Sequence, residues 1–238
     1  MYSKPKLPNV ETMWRQLLPL AAAALLGLTA CGDAKAPEAK AEVDMSLPRA
    51  EPGTDFTEGY EKTELGWVTG AKDAPVTVIE YGSFTCGGCA GFHYQIEPQL
   101  MEEFVKTGYV QFEFRSFTRN EPDILATLIA ECLGPTKFKG IKNLYFTSIQ
   151  KWLKSPNPND YVAEMARKAG VSSAAFRRCA TDTEQREKIA GQTQEAQKLY
   201  SDPDGYFRTP SVIIGGQKVE GGNSWDGLSN AIEGALRS

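Results

Sequence analysis

The chain has one histidine, His93, among its 238 residues. Ser-His-Asp triads need an imidazole beside a second oriented group, and catalytic zinc takes two or three imidazoles, so both chemistries lack their usual parts. Basic charge is also short: 26 Lys and Arg stand against 30 Asp and Glu, for a formal net charge of −4. A chain with no basic surplus carries no electrostatic footprint for nucleic acid or anionic lipid. No apolar run approaches the roughly 20 residues that a membrane-crossing helix requires. Methionine, with five residues, is too sparse beside a lone histidine to suit a copper carrier. What the sequence does have is 41% hydrophobic and 10% aromatic residues, enough for one globular core. It also has five cysteines, and by elimination the chemistry sits there.

The longest apolar run, residues 17–30 (LLPLAAAALLGLTA), follows Lys4, Lys6 and Arg15 and contains Pro19. Too short to span a bilayer and led by basic residues, it reads as the hydrophobic region of a secretory signal. Its end, Leu28-Thr29-Ala30-Cys31, resembles the bacterial lipobox, in which cleavage leaves the cysteine first and lipid is attached to its sulfur. Residues 1–30 are therefore expected to be a lipoprotein signal peptide and Cys31 a lipidation site, held to a membrane by acyl chains rather than by charge. Residues 31–58 are rich in Ala, Pro, Lys and Glu without periodicity, which predicts a flexible tether. One domain is expected over 59–238.

Within that domain, Ala74 to Tyr81 (APVTVIEY) is β-branched and apolar at successive positions, as in a strand covered on both faces. Glu61 to Val68 is a weaker strand. After Cys86 a helical pattern runs to about Lys106 through Phe92, Ile96, Leu100 and Phe104, with a kink expected at Pro98. Tyr109 to Phe117 alternates as a strand, completing β-α-β. A helical insert is expected over about 120–204. Asp123 would cap its first helix, a stripe from Phe138 to Trp152 marks the next, Asp160 would cap a third and Ser172 a fourth. Residues 209–219 then form a hairpin through Gly215-Gly216, and a helix from Ser224 to Leu236 closes β-β-α.

Cys86 and Cys89 lie on the turn from strand to helix. At a helix N-terminus, unpaired N–H groups and the helix dipole favour a thiolate, so Cys86 is the candidate nucleophile. Cys89, one turn on, is placed to close a disulfide with it and to resolve mixed disulfides. Half of a zinc site is the competing reading of Cys-x-x-Cys, but Cys132, Cys179 and His93 offer no paired ligand spacing, and no metal is expected. His93 lies about 10 Å of helix rise beyond Cys86, which assigns it to packing.

Glu80-Tyr81-x-Ser83-Phe84-x-Cys86-x-x-Cys89, the β-α-β opening, the helical insert and the late Thr209-Pro210 together resemble the thioredoxin-fold proteins of the DsbA family, including lipid-anchored envelope members. The resemblance covers about residues 60–237. It implies an α/β thioredoxin fold with a helical insertion between its halves, Cys86 as nucleophile, Cys89 as resolving cysteine and Pro210 as a cis-proline facing the disulfide. It implies that Thr209 offers backbone hydrogen bonds to a substrate peptide, and that Glu80 exchanges protons with the buried cysteine. Glu80 reaching solvent from a splayed strand is the other reading. Gly87-Gly88 departs from the Pro-His of the best-known member, so no imidazole stabilises the thiolate there.

The implied activity is disulfide formation in secreted proteins of the bacterial envelope. The redox disulfide would serve as its own cofactor, reduced cysteine-containing proteins would be the substrates, and a quinone-linked membrane oxidase of the DsbB type would be the partner. A reductase or isomerase running the same chemistry backwards is the first alternative. A redox-inert peptide-binding or metal-carrying lipoprotein is the second. No extra dimerisation domain is read ahead of residue 60, which counts against the isomerase, and a monomer is expected. Cys132 and Cys179 remain as either a second disulfide or two separate buried thiols. Bonded, they would close a loop of about 48 residues worth roughly 4 kcal/mol on the chain-entropy model.

Overall fold

The computed structural model describes residues 54–238. The expected signal peptide, the lipid site at Cys31 and nearly all of the tether fall outside the described residues. Six strands form one sheet in the order β1-β2-β4-β3-β5-β6. Glu61–Lys62 (β1) and Trp67–Thr69 (β2) are two strands of a hairpin rather than one strand over 61–68. The chain turns between them because Thr63 Oγ1 accepts from Gly66 N–H at 2.9 Å while Thr63 N–H donates to Gly66 O. Val76–Gly82 (β3) runs parallel to Val110–Ser116 (β4) and antiparallel to Ser211–Ile214 (β5), which pairs in turn with Gln217–Lys218 (β6). The β5–β6 turn is made by Gly215 and Gly216 at φ of 57° and 78°, a left-handed pair that side-chained residues resist.

Between β3 and β4 lie Gly87–Gln95 (α1) and Glu97–Leu100 (α2), the latter continuing as a π-helical turn over Met101–Val105. The expected kink falls at Ile96, just before Pro98, whose ring and missing N–H prevent an unbroken helix. The insert comprises Glu121–Cys132 (α3), Pro135–Thr147 (α4), Ile149–Leu153 (α5), Pro158–Lys168 (α6), Ser173–Ala180 (α7) and Thr183–Tyr200 (α8). Asn120, not Asp123, caps α3, and α6 begins after Asn157 rather than at Asp160. In both, a proline in the first turn (Pro122, Pro158) sets the helix start upstream of the aspartate. The stripe from Phe138 to Trp152 is divided at Ser148 between α4 and α5. Ser172 and Ser224 cap α7 and the closing helix Trp225–Leu236 (α9), each accepting an N–H three residues on.

The strand register sets the site. Glu80 on β3 pairs with Phe114 on one side and Val212 on the other, at the centre of the sheet. One face packs a core containing Phe84, Phe92, Phe112, Phe114, Phe138 and Phe146, all buried. The opposite face is covered by a smaller group, Tyr81, Phe117, Ile213 and Ala196, with Tyr200 and Phe207 against it. Coverage of β3 on both faces is incomplete, since Thr77 is exposed near its start.

Cys132, at the end of α3, and Cys179, on α7, form a disulfide with Cα atoms 5.7 Å apart and a sequence separation of 47. It closes the insert on itself. Replacing both by serine is expected to lower stability by about 3 to 4 kcal/mol, measured as a lower urea midpoint with a steeper slope, because the unfolded chain without the crosslink exposes more surface. A midpoint within error of the parent would show that the bond contributes nothing to the folded insert.

Candidate active site

Cys86 follows the end of β3 by four residues and is the N-cap of α1, with extended φ and ψ of −100° and 117°. Its sulfur accepts from Cys89 N–H at 3.3 Å and lies 3.2 Å from the Thr209 carbonyl oxygen. Both cysteines are free thiols and buried, Cys89 fully. The Cys89 thiol donating to Cys86, Thr209 beside it and the Cys89 N–H bring the Cys86 thiol down to about 5, against the opposing effect of burial. Arg119 adds a favourable charge. Burial pushes Cys89 the other way, well above the ordinary thiol value, and the bond to Cys86 and the nearby Glu80 add to that. One turn of helix thus holds an attacking sulfur that is ionised at neutral pH and a partner that keeps its proton.

The Thr209-Pro210 peptide is cis. It brings Pro210 against the redox pair, and a Cβ added at Gly88 would lie 3.2 Å from Pro210 Cδ. A Cβ at Gly87 would meet nothing within 4 Å. The two glycines therefore differ: Gly88 permits the close approach of the proline loop, whereas Gly87 faces open space.

Glu80 is 1% exposed, so the splayed-strand reading is set aside. Neither carboxyl oxygen has a hydrogen-bond partner. Burial raises it, Lys142 opposes, and Glu97 and Cys86 add to the rise, which leaves it at about 8. A neutral carboxyl is thereby stored within electrostatic reach of Cys89.

His93 does not touch the thiols. Its ring sits between Glu97, 2.8 Å from Nδ1, and Asn143, 3.3 Å from Nε2, against the Phe146 ring. Glu97 and Lys142 form an ion pair that sequence reasoning missed. Lys142 Nζ is 2.7 Å from both Glu97 oxygens, 1% exposed, and 4.9 Å from the Phe114 ring centroid. Burial opposes the Glu97 charge, but Lys142 and His93 hold its carboxyl down at about 2. The signal was present as a lysine inside the Phe138–Ile141–Tyr145 apolar stripe, a position where an unpaired cation would be costly. Asp123, read from the sequence only as a cap, is fully buried against the residues that lead into Cys86. Among the described residues no group of three His, Cys, Asp or Glu side chains is placed to hold a metal ion.

A family model described as thioredoxin matches residues 62–234, most of the chain. The chain belongs to the thioredoxin family. A Rickettsia bellii protein named as a protein-disulfide oxidoreductase is 26% identical over 182 residues, covering 76% of this chain and 68% of that one. Other rickettsial proteins named for the same activity are matched over 59 to 61% of their length. The solved structure of a protein-disulfide isomerase from Novosphingobium aromaticivorans superposes with a TM-score of 0.62 at 24% identity, covering 72% of this chain and 97% of that one. Wolbachia pipientis alpha-DsbA1 superposes with a TM-score of 0.62 at 22% identity, over 71% of this chain and 89% of that one. The two structures establish the thioredoxin fold with its helical insert.

Proposed function

We propose that this chain introduces disulfides into secreted proteins of the bacterial cell envelope through the Cys86-Gly87-Gly88-Cys89 pair. The observation that carries this reading is the N-cap position of Cys86 with its converging donors, which favours the thiolate. A thiolate that is stable in the enzyme stabilises the reduced form, and a couple with a stabilised reduced form gives its disulfide away readily. In the forward direction a substrate thiolate attacks Cys86 Sγ, the Cys86–Cys89 bond breaks, and Cys89 leaves with the electron pair. A second substrate thiolate then displaces Cys86, and the enzyme leaves as the dithiol.

The electrons are held by the sulfur pair itself, with no other cofactor in the proposal. An extended substrate segment would run past Thr209 and Pro210, using backbone groups as an added strand does. A quinone-linked membrane oxidase of the DsbB type would restore the disulfide, and lipid on Cys31 would keep the monomeric domain at a membrane surface.

The test is the reduction potential of Cys86–Cys89 by glutathione titration of residues 32–238, with Cys132→Ser and Cys179→Ser as a control on which pair responds. Thioredoxin has a nucleophile pKa of about 7 and a potential of about −270 mV. A Cys86 thiol at about 5 adds roughly 50 mV at pH 7, so a value near −220 mV is expected. A value at or below thioredoxin's would reverse the flow and make the protein a reductase or isomerase.

A further inference from the structure

Two of the residues that lead into Cys86 are gripped by one carboxylate from the insert. Asp123 accepts from Ser83 Oγ at 2.6 Å, from Phe84 N–H at 2.9 Å and from Arg119 N–H at 3.0 Å. It is not occupied with capping α3, because Asn120 does that, its side chain accepting from Asp123 N–H at 3.0 Å. The same Asn120 donates to Thr85 Oγ1 at 3.1 Å, so the start of α3 holds residues on both sides of Phe84. Burying a carboxyl this completely is costly, and burial pushes Asp123 up to about 6 in spite of its donors.

Ser83 is the residue through which this grip reaches sulfur. While its hydroxyl is bound to Asp123, its backbone N–H points at Cys89 Sγ at 3.4 Å. That N–H favours the Cys89 thiolate, against burial, Glu80 and Cys86, which all disfavour it. When a substrate thiolate attacks Cys86, the new bond forms to Cys86 Sγ, and the electron pair of the broken S–S bond goes to Cys89 Sγ. Exchange is faster when the leaving sulfur carries charge more easily, and a fixed dipole aimed at developing charge needs no rearrangement. The Cys89 thiolate left by the break then takes up a proton, because burial holds its thiol well above the ordinary value.

We propose that Asp123 is a positioning residue for the opening of the active-site disulfide: by holding the Ser83 hydroxyl and the Phe84 N–H, it aims the Ser83 N–H at Cys89 Sγ as that sulfur leaves. The inference rests on the reading that Cys86–Cys89 exchanges disulfides with thiols. It also gives the helical insert a part in the reaction, since α3 reaches the leaving sulfur through one side chain and one backbone group.

Two rates separate this role from general support of the loop. Opening of the oxidised enzyme by reduced glutathione requires Cys89 to leave. Alkylation of the reduced enzyme by iodoacetamide uses the Cys86 thiolate with no departure from Cys89. Asp123→Asn keeps an oxygen for Phe84 N–H but loses the acceptor shared by Ser83 and Arg119. It is expected to slow opening about tenfold while alkylation stays within twofold of the parent. Ser83→Ala keeps the N–H, removes the hydroxyl link, and should change the same rate in the same direction. It carries the comparison if Asp123→Asn does not fold. Equal losses in both rates, or no loss in either, would overturn the inference. A parent enzyme that is alkylated at Cys86 but not opened by glutathione would instead overturn the exchange reading beneath it, and this inference with it.

Discussion

Cys86→Ser should lose at least about a thousandfold in the rate at which the oxidised protein forms disulfides in a reduced two-cysteine peptide, with its far-UV circular dichroism unchanged. The loss follows from chemistry. A serine hydroxyl can neither join the S–S bond nor ionise near neutral pH, whereas the Cys86 thiol sits at about 5. Retention of structure follows from the cap, because serine is among the preferred N-cap residues and can accept the Cys89 N–H that the sulfur accepts now. Cys89→Ser should behave differently. Cys86 can still be captured by a substrate disulfide, but no neighbour resolves it, so a mixed disulfide accumulates to one equivalent on a non-reducing gel. Full activity in Cys86→Ser would sink the enzymatic reading and leave a domain that only binds peptides.

The second large effect concerns pH and Glu80. Its folded value of about 8 lies above the ordinary 4.5, so between those values the folded protein keeps a proton that the unfolded chain releases. Stability contributed by this group is therefore complete below about 4.5 and falls by about 1.4 kcal/mol per pH unit until about 8, roughly 5 kcal/mol in all. The reduced protein masks this fall. Cys86 is lowered from 9.0 to about 5, and a depressed acid adds stability as pH rises through the same window. The measurement therefore belongs on the oxidised protein, where Cys86 does not titrate and its charge no longer adds to the rise at Glu80, so the fall is somewhat smaller there. Asp123, raised to about 6, contributes in the same direction at the acid end and is common to both proteins compared. Subtracting the stability of Glu80→Gln from that of the parent at each pH isolates Glu80. The difference should become steadily more unfavourable to the parent from pH 5 to 8. A flat difference would mean that Glu80 is solvated or ionised in the folded state.

What the sequence disclosed was the chemistry that depends on neighbours along the chain. Cys86 and Cys89 are three residues apart, Ser172 and Ser224 cap the helices they immediately precede, and Gly215-Gly216 dictates a tight turn by itself. The centre of the sheet was legible because Val76, Val78 and Val110 are apolar wherever the core receives them. Partnerships between distant segments were not legible. Glu97 and Lys142 are 45 residues apart, and Ser83 and Asp123 are 40 apart. Glu97, Asp123 and Ser83 each have an ordinary local explanation, as a helix-surface charge, a cap or a turn, and Lys142, though out of place in an apolar stripe, names no partner. Only the packing of α4 beside α1, and of the start of α3 against residues 83–85, brings each pair together. The break between β1 and β2 was hidden for a related reason, since Thr63 satisfies a strand propensity and a turn equally well.

The bond between Cys132 and Cys179 gives each molecule a history as well as a shape. Once formed, it holds residues 132 and 179 together even in an unfolded chain, so a molecule that has unfolded differs from one never yet oxidised: it begins its return with the insert already looped.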